Sequence, residues 1–122
     1  MQTNKFNNLL ELFNDQLSKQ NVKNIFLQSL KDKSKNFSWE DTYKNINKLS
    51  NKISLKIKKG DRCLLISENR PEWLISDLAI MLAGGITVPA YTTYLERDYE
   101  YIIDDCKPTV VIVSDNNQYK KI

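Results

Sequence analysis

Apolar residues in the first third of the chain recur every three or four positions. Phe6, Leu9, Leu10, Phe13 and Leu17 share one side of a helical wheel, which predicts an amphipathic helix over residues 7–19. Asn24–Leu30 is a short apolar run and reads as a strand. The polar turn KDKSKN and Phe37 then suggest a returning strand, and so a β-hairpin. Ser38 and Asp41 have the spacing of a capping box, which starts a second helix. Trp39, Tyr43, Ile46, Leu49 and Ile53 give that helix one apolar stripe. It closes near KKGD, where Gly60 can take a positive φ.

The rhythm changes after Gly60. Arg62–Ser67 is almost continuously apolar, as expected of a strand covered on both faces. Pro71 suits the first position of a helix, because its missing N–H would have no partner there, and Glu72 favours the same end of the dipole. That helix should run to about Ala83. It is apolar nearly all round at Leu78–Leu82, which predicts burial, and Gly84 and Gly85 stop it. Ile86–Tyr91 is the next strand, with Pro89 predicting an irregular or terminating end. Leu95, Tyr99, Ile102, Ile103 and Cys106 trace one face of a further helix. Thr109–Ser114 is a third strand, and a short helical turn begins after Asp115.

The fold class is therefore α/β: an amphipathic helix and a short β-hairpin, followed by a β-α-β-α-β unit. Such alternation implies a parallel sheet with right-handed crossovers. Ligands of such sheets sit beyond the carboxyl ends of the strands, here Ser67–Arg70, Tyr91–Tyr94 and Asp115–Asn117.

Composition narrows the chemistry. The chain has 122 residues, at most one domain, and contains no histidine. Catalysis by a Ser-His or Cys-His pair is excluded within it. Cys63 and Cys106 do not form a CxxC pair and read as buried thiols of a reducing compartment. No Gly-x-Gly-x-x-Gly or Gly-x-x-x-x-Gly-Lys loop follows a strand, so no phosphate cradle is encoded. Gly84–Gly85 ends a helix, whereas phosphates are held where helices begin. Asp104 and Asp105 fall on the outer face of a helix and Asp115 starts a turn, so they do not form a metal or phosphoacceptor cluster. Neither a catalytic nor a metal-ligating residue is assigned.

Charge is divided along the chain. Residues 1–59 hold 12 Lys/Arg against 5 Asp/Glu, and residues 60–122 hold 6 against 10. The lysines are scattered, with little aromatic interleaving, which reads as a solvated surface and not a nucleic-acid interface. The opening MQTNKFNNLLELF is too polar for a signal peptide, and no apolar stretch approaches the ~20 residues of a membrane span. A cytoplasmic location is expected.

One ordered set of motifs is more specific. FSWEDTYKNINKLSNKI resembles the helix with a T/S-aromatic-x-E/D start found in AMP-forming acyl-CoA synthetases, of the adenylate-forming superfamily. The stretch from KKGD through RCLLI, SENRPEW, DLAIMLAG and VPAY to VVIVSD continues that resemblance in order. ENRPEW and VPAYTT look most like the long-chain fatty acid–CoA ligase branch. The resemblance implies a partial N-terminal lobe of the adenylate-forming fold over residues 1–122. The phosphate loop and the carboxy-terminal lobe would be encoded downstream. It implies ATP, Mg²⁺ and coenzyme A for the full-length enzyme, a fatty acid substrate, and the remainder of the synthetase chain as partner. Peripheral membrane association would be a property of that full enzyme.

The fragment alone is expected to be inactive and to self-associate through exposed apolar surface. The loop Tyr91, Thr92, Thr93 and Tyr94 matches a family loop near the coenzyme A path. By the same resemblance, Lys120 and Lys121 lie near where some relatives carry basic residues close to the nucleotide end of coenzyme A. Trp73 is expected in the core, with Asn69 and Arg70 holding the turn. Two other classes stay open: a stand-alone, non-catalytic α/β binding or interaction module, and a receiver-like regulator. The latter would need an acidic pocket where Ser67–Asn69 stand.

Overall fold

A computed structural model describes residues 6–122. The first helix, α1, covers Leu9–Lys19. It starts two residues later than its periodicity suggests, because the Asn8 side chain accepts the Glu11 N–H at 2.9 Å and caps it there. Strands β1 (Ile25–Gln28) and β2 (Asn36–Ser38) form the expected antiparallel hairpin. β1 is shorter than Asn24–Leu30. Ser29 already belongs to the turn, where its hydroxyl accepts the Asp32 N–H at 3.2 Å, and Leu30 is fully exposed.

Helix α2 spans Trp39–Ser54 and begins with the capping box anticipated from Ser38 and Asp41. The Ser38 hydroxyl accepts the Asp41 N–H at 3.0 Å, and the Asp41 carboxylate accepts the Ser38 N–H at 3.2 Å. Its inward face differs from the apolar stripe. Ile46 and Ile53 are buried as expected, but Tyr43 is exposed and Thr42 and Ser50 are buried instead. Thr42 can sit there because its hydroxyl donates to the Ser38 carbonyl at 2.8 Å.

Strands β3 (Arg62–Ile66), β4 (Ile86–Ala90) and β5 (Val110–Val113) make one parallel sheet in the order β4-β3-β5. Pro89 does not disturb the ladder: β3 and β4 stay in register from Arg62↔Ile86 to Ile66↔Ala90. β4 is an edge strand, where a missing N–H is tolerated. Helix α3 (Pro71–Leu82) carries Pro71 at its first turn. Leu78, Ala79 and Ile80 are buried, but Leu82 is exposed, at the last residue of the helix. Gly60 and Gly84 have φ of 87° and 89°, and the Gly60 N–H donates to the Gly84 carbonyl at 2.8 Å. This bond ties the turn before β3 to the end of α3.

Helix α4 spans Glu96–Cys106, and a single turn, α5, covers Asn116–Tyr119. Leu95 is not part of the buried face of α4. It is the N-cap residue and is exposed, its N–H donating to the Asp98 carboxylate at 2.9 Å. Because β4 and β5 lie on opposite sides of β3, successive crossovers of one hand place α3 and α4 on opposite faces of the sheet. Two cores result. Cys63, Ile75, Leu78, Ala79 and Ile80 pack with Phe13, Ile46 and Ile53 on one face. Leu64, Ile66, Ala90 and Tyr99 form the other.

Candidate functional site

The carboxyl ends of β3, β4 and β5 carry the segments that the strand pattern assigns to a ligand site. After β3, the polar joint is a closed ionic network. Arg70 Nε donates to Glu72 Oε2 at 2.7 Å, and its Nη1 donates to Glu68 Oε1 at 3.1 Å. The Ser114 hydroxyl donates to the other oxygen of Glu68 at 3.2 Å, which links the joint to the end of β5. Burial pushes the Glu72 carboxyl up. Its hydrogen bond with Arg70, a backbone bond and the Arg70 charge more than offset that, so it lies below the usual range. The Glu72 and Glu68 hydrogen bonds hold the Arg70 guanidinium above its ordinary value. Arg70 and its two carboxylates thus satisfy one another across the turn, while Asn69 is exposed. Trp73 is only half-buried. It lines an open cavity of about 220 Å³ with Ser67, Asn69, Pro89, Ala90 and Tyr91.

After β4 comes the loop Tyr91–Tyr94, whose first residue, Tyr91, lines that cavity. Tyr91 is 70% exposed, and its ring meets Tyr94 edge-on at 5.5 Å between centroids. The loop backbone is held from below. The Tyr99 hydroxyl donates to the Tyr91 carbonyl at 2.5 Å, and the buried Gln118 amide lies 3.1 Å from the same hydroxyl. Lys121 Nζ donates to the Thr92 and Tyr94 carbonyls at 2.9 Å and 3.1 Å, with the Tyr99 ring 5.8 Å away. Burial, then Asp98 and Tyr94, push the Tyr99 hydroxyl up, so it stays protonated and able to donate. Lys120 is exposed. The bracing by Tyr99, Gln118 and Lys121 was not legible in the sequence as a set, because it joins residues 8–29 positions apart.

Asp115 accepts the Gln118 N–H at 3.0 Å and so caps α5, while Asp104 and Asp105 are exposed on α4. Among the described residues no group of three or more His, Cys, Asp or Glu could hold a metal. Cys63 is buried, and burial, then Asp61, raise its thiol pKa. Cys106, the last residue of α4, is half-buried, not fully buried as its sequence position suggests. The described residues thus offer neither a phosphate cradle nor a carboxylate cluster that would fit ATP and Mg²⁺.

Residues 13–122 match the AMP-binding enzyme family. The chain belongs to that family. Long-chain-fatty-acid–CoA ligase FadD15 of Mycobacterium tuberculosis is 37% identical over 59 residues, which is 48% of this chain and 10% of that protein. Long-chain-fatty-acid–CoA ligase ACSBG1 of Rattus norvegicus is 31% identical over 70 residues, 57% of this chain and 10% of that protein. Acetyl-coenzyme A synthetase of Leptospira biflexa is 33% identical over 85 residues, 69% of this chain and 13% of that protein. The chain therefore spans about a tenth of the length of the curated relatives it matches.

Solved structures agree on the fold. The anthranilate CoA ligase AuaEII, in complex with anthranoyl-AMP, superposes with a TM-score of 0.79 at 22% identity, over 91% of this chain and 21% of that one. ATP-bound MatB from Rhodopseudomonas palustris gives 0.69 at 23% identity, over 82% and 20%. The α/β arrangement is the fold shared with these structures, the second of which holds ATP. Within the AMP-binding family, the residues of this chain supply sheet, covering helices and loops. No described helix is long and apolar enough to cross a membrane.

Proposed function

We propose that this chain is a segment of a long-chain fatty acid–CoA ligase in the cytoplasm. In that reaction a carboxylate oxygen attacks the α-phosphorus of ATP and pyrophosphate leaves. The thiol of coenzyme A then attacks the acyl carbonyl and AMP leaves. The observation that carries the reading is the family match over residues 13–122, joined to long-chain ligases among the relatives. The segment contributes scaffold, and the groups that stabilise charge on phosphate lie in other parts of the ligase. The loop Tyr91, Thr92, Thr93 and Tyr94 is its contribution to the coenzyme A path. The exposed Leu30, Leu55, Tyr91 and Tyr101 include surface that the rest of the ligase covers, so the isolated chain self-associates.

Pyrophosphate release with ATP, Mg²⁺ and acids from acetate to stearate tests this. The 122-residue chain is expected to release none above the blank, while the ligase carrying it turns over long-chain acids in preference to acetate. Acid-dependent turnover by the chain alone, or a preference for acetate in the ligase, overturns the reading.

A further inference from the structure

The carbonyls of Thr92 and Tyr94 lie beyond the end of β4, in a loop outside the regular ladder. Unpaired carbonyls normally turn to water there, and a loop so placed drifts. Here both are taken by one ammonium, at 2.9 Å and 3.1 Å. Lys121 has three N–H donors, so it bridges the two carbonyls and still faces the Tyr99 ring. Tyr99 is fully buried and Gln118 is 7% exposed, so this end of the latch is anchored inside the second core. The Tyr99 hydroxyl adds a third loop carbonyl, that of Tyr91. Three carbonyls in four residues are thus fixed by side chains from α4 and from the segment that includes α5. Tyr91 is also a wall of the cavity containing Ser67, Asn69 and Trp73, so fixing the loop fixes that wall.

We propose that Lys121, supported by Tyr99 and Gln118, is a positioning residue that sets the Tyr91–Tyr94 loop for coenzyme A. The coenzyme A part of this rests on the ligase reading above; the latch itself does not. Lys121 does not touch the reacting atoms. It acts through the loop, so its loss should weaken productive coenzyme A binding more than turnover.

Two measurements test the proposal. Chymotrypsin cuts after tyrosine, and Tyr91 is exposed but held. In the 122-residue chain, Lys121→Met is expected to raise the rate of cleavage after Tyr91 and Tyr94 by about tenfold, with Lys121→Arg restoring resistance. Melting of the same variants shows whether the change is local. In the ligase carrying this segment, Lys121→Met is expected to raise KM for coenzyme A by about tenfold and to alter kcat by less than about twofold. Unchanged cleavage at the loop, or cleavage that rises equally throughout a chain with a collapsed melt, overturns the latch. Faster local cleavage with KM for coenzyme A unchanged overturns the positioning role. A protein that makes no acyl-CoA removes the ligase reading, and the cleavage rates still decide the latch.

Discussion

The two faces of the parallel sheet are built differently. On one face, Cys63 and the buried side of α3 meet α1, the hairpin and α2, and the contact is mainly apolar, with Thr42 and Ser50 buried on the inward side of α2. Phe26 stacks on Trp39 at 4.0 Å between ring centroids, with Phe13 5.8 Å from both. On the other face, Leu64 and Ile66 meet α4, and the key side chain, Tyr99, is a buried aromatic with a polar tip. That tip, with Gln118 and Lys121, reaches out to the loop beyond β4. Burial of apolar area is large and non-directional, so the first face secures the fold. Hydrogen bonds contribute less net energy but fix geometry, so the second face places a loop.

Substitutions on each face can break or sharpen this contrast. The largest effect is expected at Ile80, which is fully buried between α3 and the sheet. Ile80→Ala should destabilise the chain by about 2–5 kcal/mol in denaturant unfolding. A loss as small as that of a surface variant would mean that this face is not the main core. Tyr99→Phe keeps the ring and removes the hydroxyl, leaving the Tyr91 carbonyl only the long 3.4 Å bond from the Tyr94 N–H and the buried Gln118 without its donor. It should cost about 1–2 kcal/mol and loosen the loop, while the ring still fills the second core. A loss matching that of Ile80→Ala would erase the difference between the faces.

The smallest effect is expected from Glu72 in the joint after β3. Its folded pKa lies below the unfolded value, so its contribution is present above about pH 4.3 and is lost as pH falls through the folded pKa. The side chain is 43% exposed, so solvent screening keeps the contribution small. Melting from pH 7 to pH 3 should show a slightly shallower acid decline for Glu72→Gln than for the parent. Identical profiles would mean that the Glu68–Arg70–Glu72 network is only a surface feature.

Most of the first face could be read from the sequence, because its signals are local. The Ser38–Asp41 spacing specified a cap, Pro71 a helix start, and Gly60 a turn with positive φ. The parallel unit followed from alternating strand and helix runs. The misplacements have physical reasons. Tyr43 left the inward face of α2 and Thr42 entered it, because a hydroxyl that bonds its own helix backbone can be buried at little cost. Leu95 became a cap residue once Asp98 accepted its N–H. The candidate loop Tyr91–Tyr94 was legible as a strand end, but its bracing was not. Lys121 and Gln118 sit in a polar run that looks like any solvated turn, and only the tertiary fold brings them under the loop. SENRPEW likewise reads as a turn. Its closure through Arg70 and Ser114 requires β5 beside β3.

The claim that one face secures the fold while the other positions the loop is tested most directly by amide hydrogen exchange. Ile80→Ala and Lys121→Met should be compared with the parent chain. Ile80→Ala is expected to speed exchange in β3, β4 and β5 together, and Lys121→Met only between Tyr91 and Tyr99. Loss of protection in β3 on Lys121→Met equal to that on Ile80→Ala, or an unchanged loop, would contradict it.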